Sequence, residues 1–312
     1  MNQMIVSLLP VFILLGTGIL IRRFSILSGE AVDGLKTIII KIALPSALFL
    51  AFAQADMRIE KTWIFLMVFL FCAVLYLLGG ILHRTLPGLF PDEYTNGYFT
   101  GFEFGMIGIG LFTAIWGMEK LPTIAMIAFG HEIFIWFVYV PILASRKTGR
   151  IRITRILKDF FKTPTSISII LGFVINVLHI YPEISGVIAG RAFLKSLEMI
   201  SGLIAPLILF IIGYSISFRK IPLVKSLVLL ASRWIAVLAI GIGLAHLMEG
   251  LPGVDNFFRL AFYAFILLPP PFILPLFIRE DHPEEVSFFS ELLIYYTILS
   301  FAGYVILMSL QG

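Results

Sequence analysis

Five ionisable residues lie inside long apolar runs of this sequence: Glu103, His131, Glu132, Arg233 and Glu291. A charged side chain at mid-bilayer costs roughly 2.5–3.5 kcal/mol on insertion scales. Residues of these types therefore face a cavity or one another. Three carboxyls and one guanidinium cannot all be matched as ions. Burial disfavours a charged carboxylate, so the chemistry they offer is taking up and releasing a proton or holding a small cation. Glu103 is the candidate coupling carboxylate. His131, Glu132, Arg233 and Glu291 form a candidate charge network, in which Arg233 is expected to pair with a carboxylate or reach toward the membrane surface. No catalytic constellation accompanies them. His131-Glu132 lacks a second histidine at metalloprotease spacing, and no phosphate-binding Walker loop is present. The single cysteine, Cys72, excludes an intrachain disulfide framework and a Cys/His metal cluster. No enzyme activity, metal or cofactor is expected; the ion these residues suit is H+ or Na+.

The residues around Glu103 weaken the helix that must carry it. Gly101, Gly105, Gly108 and Gly110 fall within ten residues, and each glycine costs about 1 kcal/mol relative to alanine in a helix. A second weak point holds Pro269, Pro270 and Pro271, with Pro275 following. Proline removes an amide donor and clashes with the preceding turn. Opened main chain cannot face lipid, and the expectation is that both breaks line a polar cavity. Two interrupted spans at corresponding positions point to a transporter's binding site. Gly105, Gly108, Gly110, Pro269, Pro270 and Pro271 are therefore candidate substrate- or ion-binding positions beside Glu103. Ser46, next to Pro45, is a further candidate.

These elements sit in a chain that composition assigns to lipid. Of 312 residues, 59% are hydrophobic and 13% charged, with 30 phenylalanines, and mean hydropathy is +1.01. A soluble domain is about one quarter charged. Apolar stretches near the ~20 residues needed to cross a bilayer recur ten times, at 4–22, 35–53, 62–82, 98–116, 123–144, 165–181, 197–218, 224–248, 257–278 and 288–310. The first has no basic residue before it and ends at Arg22-Arg23, which reads as a retained span rather than a cleaved leader. Lys and Arg concentrate in the loops after odd-numbered spans, most densely in 145–163 with Arg146, Lys147, Arg150, Arg152, Arg155, Lys158 and Lys162. Those loops are expected to be cytoplasmic and both termini to lie on the outer face of a cell (plasma or inner) membrane. The net charge of +4 is a topology signal and no nucleic-acid footprint.

The basic segment divides the chain into 1–144 and 164–312, each with five spans. An odd number per half makes any internal repeat inverted. Landmarks support one. Pro45 in IALPSALF and Pro206 in LIAPLILF are 161 residues apart; Gly110 and Pro269, and Glu132 and Glu291, are each 159 apart.

On these residues the chain resembles the auxin efflux carrier family. The resemblance covers nearly the whole sequence: Leu8-Leu9-Pro10-Val11-Phe12, Arg22-Arg23 through Ile42-Ala43-Leu44-Pro45, Gly105 to Leu111 (GMIGIGL), Pro164 to Gly172, and Ala205-Pro206 through Gly213. It implies ten helices in an inverted five-plus-five repeat, with broken helices four and nine crossing at mid-membrane. It also implies a scaffold of helices 1, 2, 6 and 7, a transport domain of helices 3–5 and 8–10, a homodimer through the scaffold, and carriage of a small organic anion by elevator-like alternating access. One departure stands out. Family members commonly carry Asn seven residues before a Pro in the fourth span, where this chain has Glu103 and Gly110. An acidic side chain there suits a proton or sodium site, or a cationic or neutral substrate, better than direct binding of a carboxylate.

The function expected from the sequence is secondary active transport of a small organic solute, coupled to protons or sodium. The alternatives are a passive channel or uncoupled facilitator through the same crossing, and a membrane receptor using the basic loop.

Overall fold

The computed structural model describes residues 2–55, 62–148, 161–215, 222–279 and 282–310. Arg150, Arg152, Arg155 and Lys158, counted above for orientation, lie outside the described residues, as do Arg58, Lys61, Arg219 and Lys220 of the other loops between spans.

Among the described residues every regular element is helical. In chain order these are α1 (Asn2–Arg23), α2 (Gly29–Gln54), α3 (Thr62–Thr85), α4 (Thr95–Phe99), α5 (104–116) and α6 (Met118–Arg146). After the basic segment come α7 (Pro164–Val177), α8 (Tyr181–Gly186), α9 (Ile188–Ser201), α10 (Ile204–Ser215) and α11 (Leu223–Leu247). The chain closes with α12 (Asn256–Ile266), the 3-10 turn α13 (Leu274–Phe277) and α14 (Pro283–Ser309). Seven helical stretches are long and apolar enough to cross a membrane. The architecture is that of a polytopic helical membrane protein.

Local chemistry sets the ends. The Ser28 hydroxyl accepts the Ala31 amide at 3.2 Å at the start of α2. Thr163 caps α7 through the Ser166 amide at 3.2 Å, and Asp255 caps α12 through the Phe258 amide at 2.6 Å. Each satisfies an amide that has no partner inside its own helix. Proline acts differently at Pro45 and at Pro206. Pro45 has no amide for the Lys41 carbonyl, and a π turn at Ile39–Ala43 absorbs the mismatch inside a continuous α2. Around Pro206 the helix instead ends at Ser201 and restarts at Ile204.

The helix α3 shows why lipid is the outer solvent. Leu66, Leu70, Val74, Leu77 and Ile81 are exposed along one face, while Ile64, Val68, Phe71, Cys72 and Leu75 are buried on the other. A helix apolar on both faces is stable beside hydrocarbon and not beside water. Helix pairs close through small residues, as lipid-embedded helices do. Gly18 of α1 and Gly213 of α10 interlock: a Cβ on the first would sit 2.1 Å from the Phe210 carbonyl oxygen, and on the second 2.0 Å from that of Leu15. Gly172 brings α7 against α2, where a Cβ would lie 2.6 Å from the Phe49 oxygen. Asn176, one turn on, donates to the carbonyls of Phe52, Ala53 and Ala55 at 3.1, 3.1 and 2.6 Å, covering the open end of α2.

Candidate functional site

The chain is interrupted at both expected places, and the interruptions meet. Between α4 and α5 the main chain opens over 100–103. Between α12 and α13 it opens over 267–273, through the three prolines. The Glu103 amide donates to the Pro269 carbonyl at 2.7 Å. The Glu103 carboxylate answers with both oxygens: Oε2 accepts the Phe272 amide at 2.7 Å, and Oε1 accepts the Met106 amide at 3.3 Å. One side chain thus holds the open amide of each broken segment, a charge-assisted arrangement at the start of α5.

The glycines divide the work. Gly101 has φ +69°, a left-handed conformation that costs other residues about 1–2 kcal/mol, and a Cβ there would meet Pro271 Cγ at 2.6 Å. It alone of the four lies in the opened stretch. Gly105 and Gly108 sit in a π turn at Phe104–Gly108, and Gly110 in regular helix. The opening in this glycine-weakened segment is thus confined to 100–103. The other glycines serve close approach: a Cβ on Gly108 would sit 2.8 Å from Leu268 Cδ1, and on Gly110 3.3 Å from Ile208 Cγ2 of α10. Gly105 faces Leu44 of α2 at 3.5 Å.

Side chains satisfy several of the opened main-chain groups. Arg233 on α11 is fully buried. Its Nη1 donates to the carbonyls of Tyr98, at 2.9 Å, and Phe99, and its Nη2 to that of Gly101 at 2.8 Å. The first two are carbonyls that α4 leaves without helical partners, and the third lies in the opened stretch. The rings of Tyr296, Phe102 and Tyr98 lie 5.1, 5.4 and 5.9 Å from its Cζ and add cation–π attraction. The partner expected for Arg233 was a carboxylate; the structure gives it carbonyls, because a planar fork of donors matches the diverging carbonyls of an ended helix.

His131 Nε2 accepts the Phe102 amide at 2.9 Å. Its Nδ1 lies 3.2 Å from Glu132 Oε1, and Trp136 Nε1 donates to Glu132 Oε2 at 3.1 Å. An acceptor at Nε2 leaves the proton on Nδ1, pointing at Glu132. Of the four, His131 and Glu132 form a pair, Arg233 serves the main chain, and Glu291 is buried on α14. The Ser46 hydroxyl is buried and donates to the Ile42 carbonyl at 2.9 Å, beside the Pro45 distortion.

Two contributors escaped sequence reading. Thr100 donates to the Cys72 carbonyl at 2.5 Å, and Tyr139 to the Gly97 carbonyl at 3.1 Å. Both tie the broken fourth span to neighbours, and neither type nor spacing marks them out.

Within this buried lattice Glu103, Gly105, Met106, Phe272 and Ile273 retain partial accessibility. The accessible ionisable group at the crossing is a carboxylate; the guanidinium is sealed. A separate cavity of about 440 Å³ opens between α2, the 118–122 turn and α9, lined by Gln54, Glu119, Lys195 and Glu198 among others and not by Glu103.

No protein-family model matches this chain, and no curated protein sequence matches it.

Proposed function

We propose that this chain is a secondary active transporter that moves a small organic solute across a cell membrane, coupled to protons or sodium at Glu103. The observation that carries this reading is the bridge at the crossing: Glu103 joins the opened segments through Pro269, Phe272 and Met106 while staying partly accessible. A proton or sodium ion at Glu103 neutralises the carboxylate and loosens its hold on the Phe272 and Met106 amides. Those donors are then free to face an anionic group, which links ion binding to an organic-anion solute.

The likeness to the auxin efflux carriers supports a ten-span inverted repeat with helices 1, 2, 6 and 7 as scaffold and elevator-like movement of the remainder. Two packing relations favour it. The first and seventh spans close through Gly18 and Gly213, and the second and sixth through Gly172 and Phe49. An inverted repeat exchanges one pair for the other. The homodimer through the scaffold belongs to the same proposal.

Proteoliposomes test the reading. Labelled malonate, an amine panel and neutral solutes are offered with and without imposed proton and sodium gradients. A carrier gives saturable, gradient-dependent uptake and counterflow of at least one solute. Flux that rises linearly with concentration and shows no counterflow would replace the carrier by a passive channel.

A further inference from the structure

A second feature lies away from the crossing and is independent of the transport reading. An open groove of about 870 Å³ runs between α11, α12 and α14. Its walls are almost wholly apolar, with Leu238, Ile242, Leu260, Ile306 and Leu307 among them. Gly303 shapes its floor. A Cβ there would lie 2.9 Å from both Leu267 Cδ2 and Trp234 Cη2, so the glycine keeps the three helices together beneath the groove. Leu267 begins the opened stretch, two residues before Pro269, and the deep end of the groove therefore abuts that stretch.

Polarity is confined to the other end. Asn256 and Arg259, on the first turns of α12, line the groove beside the 248–255 connection. Arg259 Nη1 lies 2.7 Å from Glu249 Oε1, with the Arg259 side chain 23% exposed and that of Glu249 58% exposed. His246 Nδ1 stands 3.7 Å from the second Glu249 oxygen. The mouth thus presents a cation, with its paired anion Glu249 just outside the lining, and the interior presents hydrocarbon. A membrane phospholipid has the same polarity along its length. A zwitterionic head matches the mouth better than a purely anionic one, because Glu249 would repel a second negative group.

We propose that this groove holds one glycerophospholipid with a phosphoethanolamine head: an acyl chain against Leu238, Ile242, Leu260 and Leu307, the phosphate on Arg259, and the primary ammonium on Glu249. A guanidinium donates to phosphate in paired, charge-assisted bonds. A primary ammonium donates hydrogen bonds to a carboxylate, which a quaternary choline cannot. The bound chain would cover α12 where its continuation is opened and cannot pack as helix.

Native mass spectrometry of the purified full chain tests this, after exchange into mixed micelles containing equal phosphatidylethanolamine, phosphatidylcholine and phosphatidylglycerol. The expected result is preferential retention of one phosphatidylethanolamine per chain. Arg259→Gln should weaken that retention about tenfold, the equivalent of one lost charge-assisted contact. Ile242→Trp, which fills the groove, should abolish it, while Ile235→Trp, on an exposed position of the same helix outside the lining, should leave it unchanged. Thermal unfolding of each variant reports whether it is folded. Equal retention of the three lipids, preference for phosphatidylglycerol, or retention unchanged in both groove variants would overturn the proposal. So would crosslinks from Ile242 to a second copy of the chain, which would make the groove a subunit interface.

Discussion

Glu103 and Phe272 are 169 residues apart in sequence, yet the carboxylate of one accepts the amide of the other at 2.7 Å. This bond and the Glu103 amide on the Pro269 carbonyl make the two interrupted spans one structural unit. Arg233 completes the unit from the opposite side by covering the carbonyls that end α4.

Arg233→Met should destabilise the protein severely. It leaves three buried carbonyls without donors, and each such group costs about 1–3 kcal/mol. Thermal unfolding in detergent should show a large fall in Tm, with Arg233→Lys intermediate because an ammonium keeps the charge but not the planar fork. A wild-type Tm for Arg233→Met would mean that the carbonyls find other partners.

Gly101→Ala and Gly105→Ala should separate. At Gly101 a Cβ meets Pro271 at 2.6 Å and the backbone has φ +69°, so a loss of at least about 1–2 kcal/mol is expected. At Gly105 the nearest atom is Leu44 Cδ2 at 3.5 Å, ordinary contact, and alanine should be neutral or stabilising by up to about 1 kcal/mol. Equal unfolding temperatures would contradict the placement of the break at 100–103.

Asn176→Leu should loosen α7 from the end of α2 by about 1–3 kcal/mol, since the amide serves the carbonyls of Phe52, Ala53 and Ala55 together. Hydrogen exchange should rise selectively at the C-terminal turns of α2. Uniform exchange across the molecule would argue for a general rather than local role.

His131 should be the neutral tautomer with its proton on Nδ1, because Nε2 accepts from Phe102 and Nδ1 faces Glu132. Nitrogen-15 spectra of labelled histidine should show a bare Nε2 at this site. A proton on Nε2 would be incompatible with the Phe102 bond.

The sequence made some of this legible and hid the rest for physical reasons. Glycine and proline act on their own backbone, so Gly101 and the run Pro269-Pro270-Pro271 announced both interruptions locally. Gly105, Gly108 and Gly110 carried the same local signature, but Gly108 and Gly110 serve close contact with Leu268 and Ile208, which only tertiary packing decides, and Gly105 makes ordinary contact with Leu44. Arg233 was conspicuous as a charge in an apolar run. Its partners were not, because they are main-chain carbonyls more than 130 residues away that every residue type possesses. The pairing of His131 with Glu132 was open to reading from adjacency. The apolar run 197–218 reads as one span, whereas the helix ends at Ser201 and restarts at Ile204, before Pro206; Pro45 left α2 continuous through a π turn.

The most direct test of the account is gradient-driven uptake by proteoliposomes carrying wild type or Glu103→Gln, assayed with the same solute panel and with the interior and exterior ion composition exchanged. Glutamine keeps the shape and one acceptor for the Phe272 amide, so the fold should survive. The account predicts that wild type accumulates solute against its gradient when protons or sodium are imposed, and that Glu103→Gln only equilibrates it. Undiminished, fully gradient-dependent accumulation by Glu103→Gln would contradict the assignment of Glu103 as the coupling group.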